Sequence, residues 1–155
     1  MQSNGNGLDR FDHAILGILG REGRISVTDL AARVGLSKSP VQARLKRLEQ
    51  EGVITGYRAT IDPVRLKREH VVFIQIKLTE TREAAIADFN AAVRLIAEVE
   101  QCHLIAGHFD YLLKVRTADM ARYREILATQ ISTLPHVAHT STYVSMQAVK
   151  DYALG

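Results

Sequence analysis

Residues 24–52 read RISVTDLAARVGLSKSPVQARLKRLEQEG. Two apolar periods lie in this stretch, one on each side of a glycine. After Ser26, a residue type suited to an N-cap, Val27, Leu30, Ala31 and Val34 recur at helical spacing until Gly35 interrupts them. Ser37 then caps a second period, Val41, Leu45 and Leu48, spaced i, i+4 and i+7. Pro40 falls in the first turn, where its missing N–H is tolerated, and Gly52 stops the helix. Helix, short glycine-containing turn, helix is the helix-turn-helix arrangement, whose second helix enters the major groove of DNA.

The side chains left over agree with that reading. Once Val41, Leu45 and Leu48 are buried, the opposite face offers Lys38, Ser39, Gln42, Arg44, Lys46 and Arg47. From Ser37 to Leu48 there are four basic residues and no acidic one. Ser37 and Ser39 at a positive helix N-terminus suit a phosphate oxygen. Gln42 and Arg44 are of the types that pair bidentately with adenine and guanine edges. Lys46 and Arg47 are assigned to backbone phosphates, and Arg58, beyond Gly56, to a neighbouring phosphate. The competing reading is an ordinary solvated basic face.

Outward from this segment, residues 1–7 are polar and rich in Gly and Asn and read as a disordered lead. A first helix follows, with Asp9 as N-cap, Leu8, Phe11, Ile15 and Leu19 on one face and Gly23 beyond its end. Residues 53–61 read as two short strand-like pieces around Gly56, closed by Asp62-Pro63. The DNA-binding domain is thus expected over residues 8–62, a linker over 63–69, and a second domain over 70–155.

That second domain changes period. Residues 70–78, HVVFIQIKL, are β-branched and alternating, hence a strand. Residues 82–97 are predicted helical, with Ile86, Phe89, Val93 and Ile96 on one face. Strands are predicted at 99–106 and from Phe109 to Thr117, with Gly107-His108 as the turn. A second helix over 119–133 is predicted to bury Met120, Tyr123, Leu127, Ile131 and Leu134 before Pro135 ends it. A last strand runs from Val137 to Gln147. The order βαββαβ is the split-βαβ, ferredoxin-like pattern, and the fold class is α+β. Val71 and Phe73 oppose Val72, Ile74 and Ile76 across the first strand, so both sheet faces are apolar. Helices cover only one, and the simplest second cover is another copy of the chain.

Composition narrows the class further. The 155 residues are 46% hydrophobic and 24% charged, which excludes disordered and collagen-like chains. There is no apolar run long enough to span a membrane and no signal-peptide pattern, so a cytoplasmic location is expected. Residues 1–68 carry 12 Lys/Arg against 7 Asp/Glu, and residues 69–155 carry 8 against 10. A basic first part and a mildly acidic second part fit one module for a polyanion and another for a different task. The single cysteine, Cys102, forms no internal disulfide and reads as a small buried hydrophobe. Cys102, His103, His108, His136 and His139 lack metal-ligand spacing, so no metal is expected. Neither a phosphate cradle nor a Ser-His-Asp or Cys-His set is present, so no enzyme is expected.

Several motifs in fixed order resemble one family. They are Leu8-Asp9-Arg10-x-Asp12, Gly23-Arg24-Ile25-Ser26, Val34-Gly35-Leu36-Ser37, Arg44-x-x-Arg47-Leu48-Glu49-x-x-Gly52-Val53-Ile54-x-Gly56-Tyr57 and Gly107-x-Phe109-Asp110-Tyr111. They are similar to those of the Lrp/AsnC (leucine-responsive, feast/famine) transcription regulators, from about Leu8 to Lys150. The resemblance implies an N-terminal winged helix-turn-helix and a C-terminal βαββαβ domain that dimerises and binds small effectors, commonly amino acids. It also implies assembly of dimers into octamers or higher forms. The second half looks most like activators of proline catabolism, which makes proline one candidate effector.

The resemblance places the effector at Gly107, His108, Phe109, Asp110 and Tyr111, with Thr140, Ser141 and Thr142 nearby, where dimers meet. Asp110 suits an ammonium, the Gly107 backbone a carboxylate, and the hydroxyls of Thr140 and Thr142 further bonds. Against these stand plainer roles: a hairpin glycine for Gly107, a salt-bridge partner for Asp110, a core or interface residue for Tyr111. His108 stands where many relatives carry an acidic or small residue, which makes binding pH-sensitive if it touches the effector. Two functions follow from this reading: a sequence-specific regulator tuned by an amino acid, or an effector-independent architectural DNA-binding protein.

Overall fold

The computed structural model describes residues 7–151. All of the expected lead except Gly7, and the last four residues, lie outside the described part. The chain forms two compact units, one built on residues 7–61 and the other on Asp62–Val149.

The first unit packs three helices, α1 (Arg10–Leu19), α2 (Val27–Val34) and α3 (Lys38–Gln50). Its core is Ile15, Leu30, Ala31, Val41 and Leu48, with Leu8, Leu45 and Ile54 packed around it. α1 starts on a reciprocal capping box: the Asp9 carboxylate accepts from the Asp12 N–H, and the Asp12 carboxylate accepts from the Asp9 N–H. It ends at Gly20, before the predicted Gly23. The Ser26 hydroxyl caps α2 through the Asp29 N–H. Ser37 occupies the N-cap position of α3, but its hydroxyl makes no capping bond, contrary to expectation.

Gly35 ends α2 at φ 71°, ψ 34°, in the left-handed region. There is open space around a Cβ built there, so the cost of Gly35→Ala is backbone strain alone. The substitution is expected to cost about 1 kcal/mol, read as a lower urea midpoint with the slope unchanged.

Residues 53–61 form no regular strand, which corrects the two strand-like pieces predicted there. Ile54 reaches the helical core, but Val53, Tyr57 and Ile61 are exposed. With no covered face, a short ribbon lacks the apolar burial that stabilises strand pairing.

The second unit runs β1 (His70–Leu78), α4 (Glu83–Val93), β2 (Val99–Leu104), β3 (Tyr111–Thr117), α5 (Met120–Ile126), a π-helical turn (Leu127–Ile131) and β4 (Val137–Val144). The antiparallel sheet has the order β2-β3-β1-β4. Val72, Ile74 and Ile76 of β1 and Tyr111, Leu113 and Val115 of β3 enter one core with Phe89, Val93, Tyr123, Ile126 and Ile131. The other parity of β1 carries Val71 and Phe73, and Tyr143 on β4 donates its hydroxyl to Gln75 there.

Two helical faces differ from prediction. In α4 the inward line is Ala85, Phe89 and Val93; Ile86 is only half-buried, and Ile96 is buried after the helix has ended. Met120, predicted inside, is 44% exposed, while Ile126, absent from the predicted face, is fully buried. The π turn explains the latter. Its wider repeat, seen in the bond from the Ser132 N–H to the Leu127 carbonyl, lets Ile126 and Ile131, five apart, both point inward. A 3.6-residue period cannot anticipate that.

Candidate nucleic-acid interface and effector region

The exposed side of α3 is narrower than the sequence suggests. Lys38, Gln42 and Lys46 are exposed and four residues apart, so they form one line along the helix, with Ser39 and Ser37 exposed at its head. Arg58 is exposed in the irregular segment after the helix rather than on a wing strand.

Arg44 and Arg47 are placed differently from their expected roles. Arg44 Nη1 lies 2.7 Å from Asp9 Oδ2 and 2.8 Å from Asp12 Oδ1. Arg47 Nη2 donates to Asp12 Oδ2 at 2.6 Å. Asp12 is fully buried. Burial pushes its carboxyl up, but the Asp9 N–H, Arg44 and Arg47 outweigh that and leave the pKa below its ordinary value. The bonds to Asp12 and Asp9 raise the Arg44 pKa. Arg44, assigned to a guanine edge, and Arg47, assigned to phosphate, are thus engaged by α1. Together with Pro40 and Ala43 they line a shallow notch of about 320 Å³.

Asp12 had no role in the sequence reading beyond its place in a motif. The signal was present: Leu8, Asp12, Ile15 and Leu19 fall on one helical line, and an acid on an apolar line requires a buried partner.

In the second unit the expected effector residues flank β1, with Tyr111 and Thr140 both in register with Ile76, but their side chains have different surroundings. Gly107 and His108 are exposed, and the imidazole meets the Phe109 ring edge-on at 4.9 Å. Gly107 does not have a positive φ, and an added Cβ there would meet only Ile105 Cγ2 at 3.7 Å, so nothing local requires glycine. Asp110 is buried; its carboxylate accepts from the Leu78 N–H at 2.7 Å and from Lys77 Nζ at 3.0 Å. Burial raises the Asp110 pKa, but these bonds outweigh it and the net shift is downward. The ammonium partner expected for Asp110 is thus supplied by Lys77, which the sequence reading did not single out. Tyr111 is a core residue: its ring stacks on Phe89 at 4.2 Å and its hydroxyl donates to Asn90 Oδ1. Thr140 and Thr142 register with Ile76 and Ile74, and Ser141 registers with Gln75 on the opposite face. The Thr142 hydroxyl pairs with that of Tyr123 at 2.5 Å.

A separate open groove of about 540 Å³ runs between α4 and β2, lined in part by Asn90, Arg94, Cys102 and Leu104. Burial pushes the Cys102 thiol up to about 11, away from reactive thiolate character. Among the described residues, no three His, Cys, Asp or Glu side chains are grouped to hold a metal ion.

A helix-turn-helix with a basic exposed line, followed by a βαββαβ unit, defines a two-part DNA-binding regulator. Residues 8–55 match the winged helix-turn-helix DNA-binding model, and residues 71–154 match the Lrp/AsnC ligand binding domain. The chain belongs to the Lrp/AsnC family of transcriptional regulators. It is 56% identical to a proline dehydrogenase transcriptional activator of Rhizobium radiobacter, over 93% of this chain and 92% of that one. It is 47% identical to the leucine-responsive regulatory protein of Haemophilus influenzae, over 93% and 87% of the two chains. An AsnC family transcriptional regulator from Agrobacterium tumefaciens superimposes with a TM-score of 0.88 at 31% identity, covering 93% of this chain and 94% of that one. A Neisseria meningitidis transcriptional regulator in complex with L-Met does so with a TM-score of 0.88 at 30% identity, covering 95% of each.

Proposed function

We propose that this chain regulates transcription by reading duplex DNA with the exposed line of α3, under the control of an amino acid bound by the βαββαβ unit. The observation that carries the reading is the line Lys38, Gln42 and Lys46, solvent-facing and headed by Ser37 and Ser39. Gln42 reads a base edge; Lys38, Lys46 and Arg58 hold phosphates. The protein acts as a regulator in the cytoplasm and not as an enzyme.

The effector is an amino acid, and proline is the first to test, because two relatives at 56% and 54% identity are named proline dehydrogenase transcriptional activators. Its site takes Gly107, His108, Phe109 and Ser141 and is completed by a second copy; Ser141 is in register with Gln75, on the parity of β1 that does not enter the core. On the helix-free parity the exposed Tyr143 beside the half-buried Phe73 supports a homodimer, and dimers assemble further into octamers or higher forms.

Thermal unfolding of the full chain against all twenty amino acids tests the effector. A ligand at ten times its Kd adds about 1.4 kcal/mol to native stability. Proline is expected to raise the melting temperature and alanine to leave it unchanged. A flat response to all twenty removes the effector reading.

A further inference from the structure

We propose that Asp9 and Asp12 are positioning residues that hold the Arg44 and Arg47 guanidinium groups off the DNA backbone, so that phosphate contact falls to the lysines and non-specific binding stays weak. This rests on the DNA-binding reading above.

The geometry has three parts. First, two guanidinium groups and two carboxylates form one cluster, closed by contacts of 2.7, 2.8 and 2.6 Å. It carries no net charge, although it lies on the helix that meets DNA. Second, the acids cannot easily move aside. Asp9 is the N-cap of α1 and Asp12 is its capping-box partner, so both are fixed by the backbone bonds that start the helix. Arg44 is further confined, with its guanidinium carbon 5.5 Å from the centre of the Phe11 ring. Third, the cluster borders the exposed line. Arg44 and Arg47 wall the notch with Pro40 and Ala43, and Ala43 and Arg47 are each adjacent in sequence to a residue of that line, Gln42 or Lys46.

A phosphate entering this notch meets arginines whose charge is already paired with carboxylates through Arg44 Nη1 and Arg47 Nη2. It also meets the half-exposed Asp9, a charge of its own sign. Arg47 is 42% exposed, but its Nη2 is tied to the buried Asp12 at 2.6 Å and its Nε is buried with no hydrogen-bond partner, so Asp12 fixes the direction of this guanidinium. Non-specific affinity scales with the number of phosphates neutralised. Removing two arginines from that number leaves Gln42 and the lysines to set a larger ratio of specific to non-specific binding.

The test uses the full chain and a mixed-sequence duplex, titrated by fluorescence anisotropy across a series of NaCl concentrations. Asp9→Asn removes one carboxylate charge and keeps a side chain that caps as well as aspartate. It is expected to steepen the slope of log K against log salt by up to about 0.9, one added phosphate contact, with tighter binding at low salt. Adding Arg44→Gln to Asp9→Asn is expected to restore the parental slope. Glu22→Gln, which breaks the exposed Glu22–Arg33 pair, adds the same net charge elsewhere and is expected to leave the slope unchanged. A folded Asp9→Asn with parental or shallower slope overturns the proposal, as does an equal steepening by Glu22→Gln. A parental chain that does not bind duplex DNA overturns the DNA-binding reading and this proposal with it.

Discussion

Asp12→Ala is expected to cost the helical unit about 3 kcal/mol, the lower end of the penalty for breaking a buried ion pair from one side, because Asp12 is buried while both arginines keep access to solvent. Arg47 would then lose its 2.6 Å carboxylate, Arg44 would keep only Asp9, and the Asp9 N–H would lose its acceptor. For a unit of this size that loss lowers the melting temperature by roughly 12 °C or more. Circular dichroism melting of the full chain is the measurement, and the βαββαβ unit is expected to keep its own transition. An unchanged first transition would mean that the cluster is not what ties α3 to α1. Replacing Asp12, Arg44 and Arg47 together with apolar side chains of similar volume is expected to restore much of the stability, because the buried charge and both its partners are then removed together.

Acid reveals the same cluster. The Asp9 and Asp12 carboxyls titrate below their ordinary 3.8 in the folded state. A carboxyl depressed by folding stabilises the native state fully above its unfolded pKa and ceases to do so as pH falls through the folded one. The helical unit is therefore expected to hold constant stability from neutrality to about pH 5 and to lose it below about pH 4. Asp12→Ala should flatten that dependence.

The double substitution Lys38→Ala, Lys46→Ala has the largest expected effect on DNA binding. Both ammonium groups are exposed on the same helical line, and no ion pair among the described residues opposes either. Losing two phosphate contacts shallows the salt slope by about 1.8 and weakens duplex binding by up to about 60-fold near 0.1 M salt. Stability should be unaffected, because neither side chain packs on the core. Anisotropy titrations at four or more salt concentrations decide it. Parental affinity and slope in the double variant would remove α3 as the contact surface. Arg44→Ala is expected to behave oppositely, losing stability more than salt dependence.

Some of the molecule was legible from local pattern. Ser26 and Gly35 bracket α2 because a hydroxyl cap and a left-handed glycine are short-range devices. The alternation in HVVFIQIKL placed β1 residue for residue. Other features were hidden by their range. Ile86 had the right spacing to be buried, yet α4 turns Ala85 inward, since the choice between neighbouring faces rests on what packs against the helix. The effector region illustrates the same limit: the sequence leaves Asp110 open between an effector's ammonium and a salt bridge, and only β1, which brings Lys77 and the Leu78 N–H to it, supplies the partner.

The chain's own order of caps, glycines and apolar periods determined that three helices precede a βαββαβ unit, and that the third helix is basic. Each of those signals spans a few residues, within reach of a turn or a strand repeat. Which basic residues stay available was decided only in three dimensions. Arg44 and Arg47 meet Asp12 across separations of 32 and 35 residues, because Ile15, Leu30, Val41 and Leu48 pack α1 and α3 into one core. A charge is a property of the residue; its freedom is a property of what the fold sets beside it.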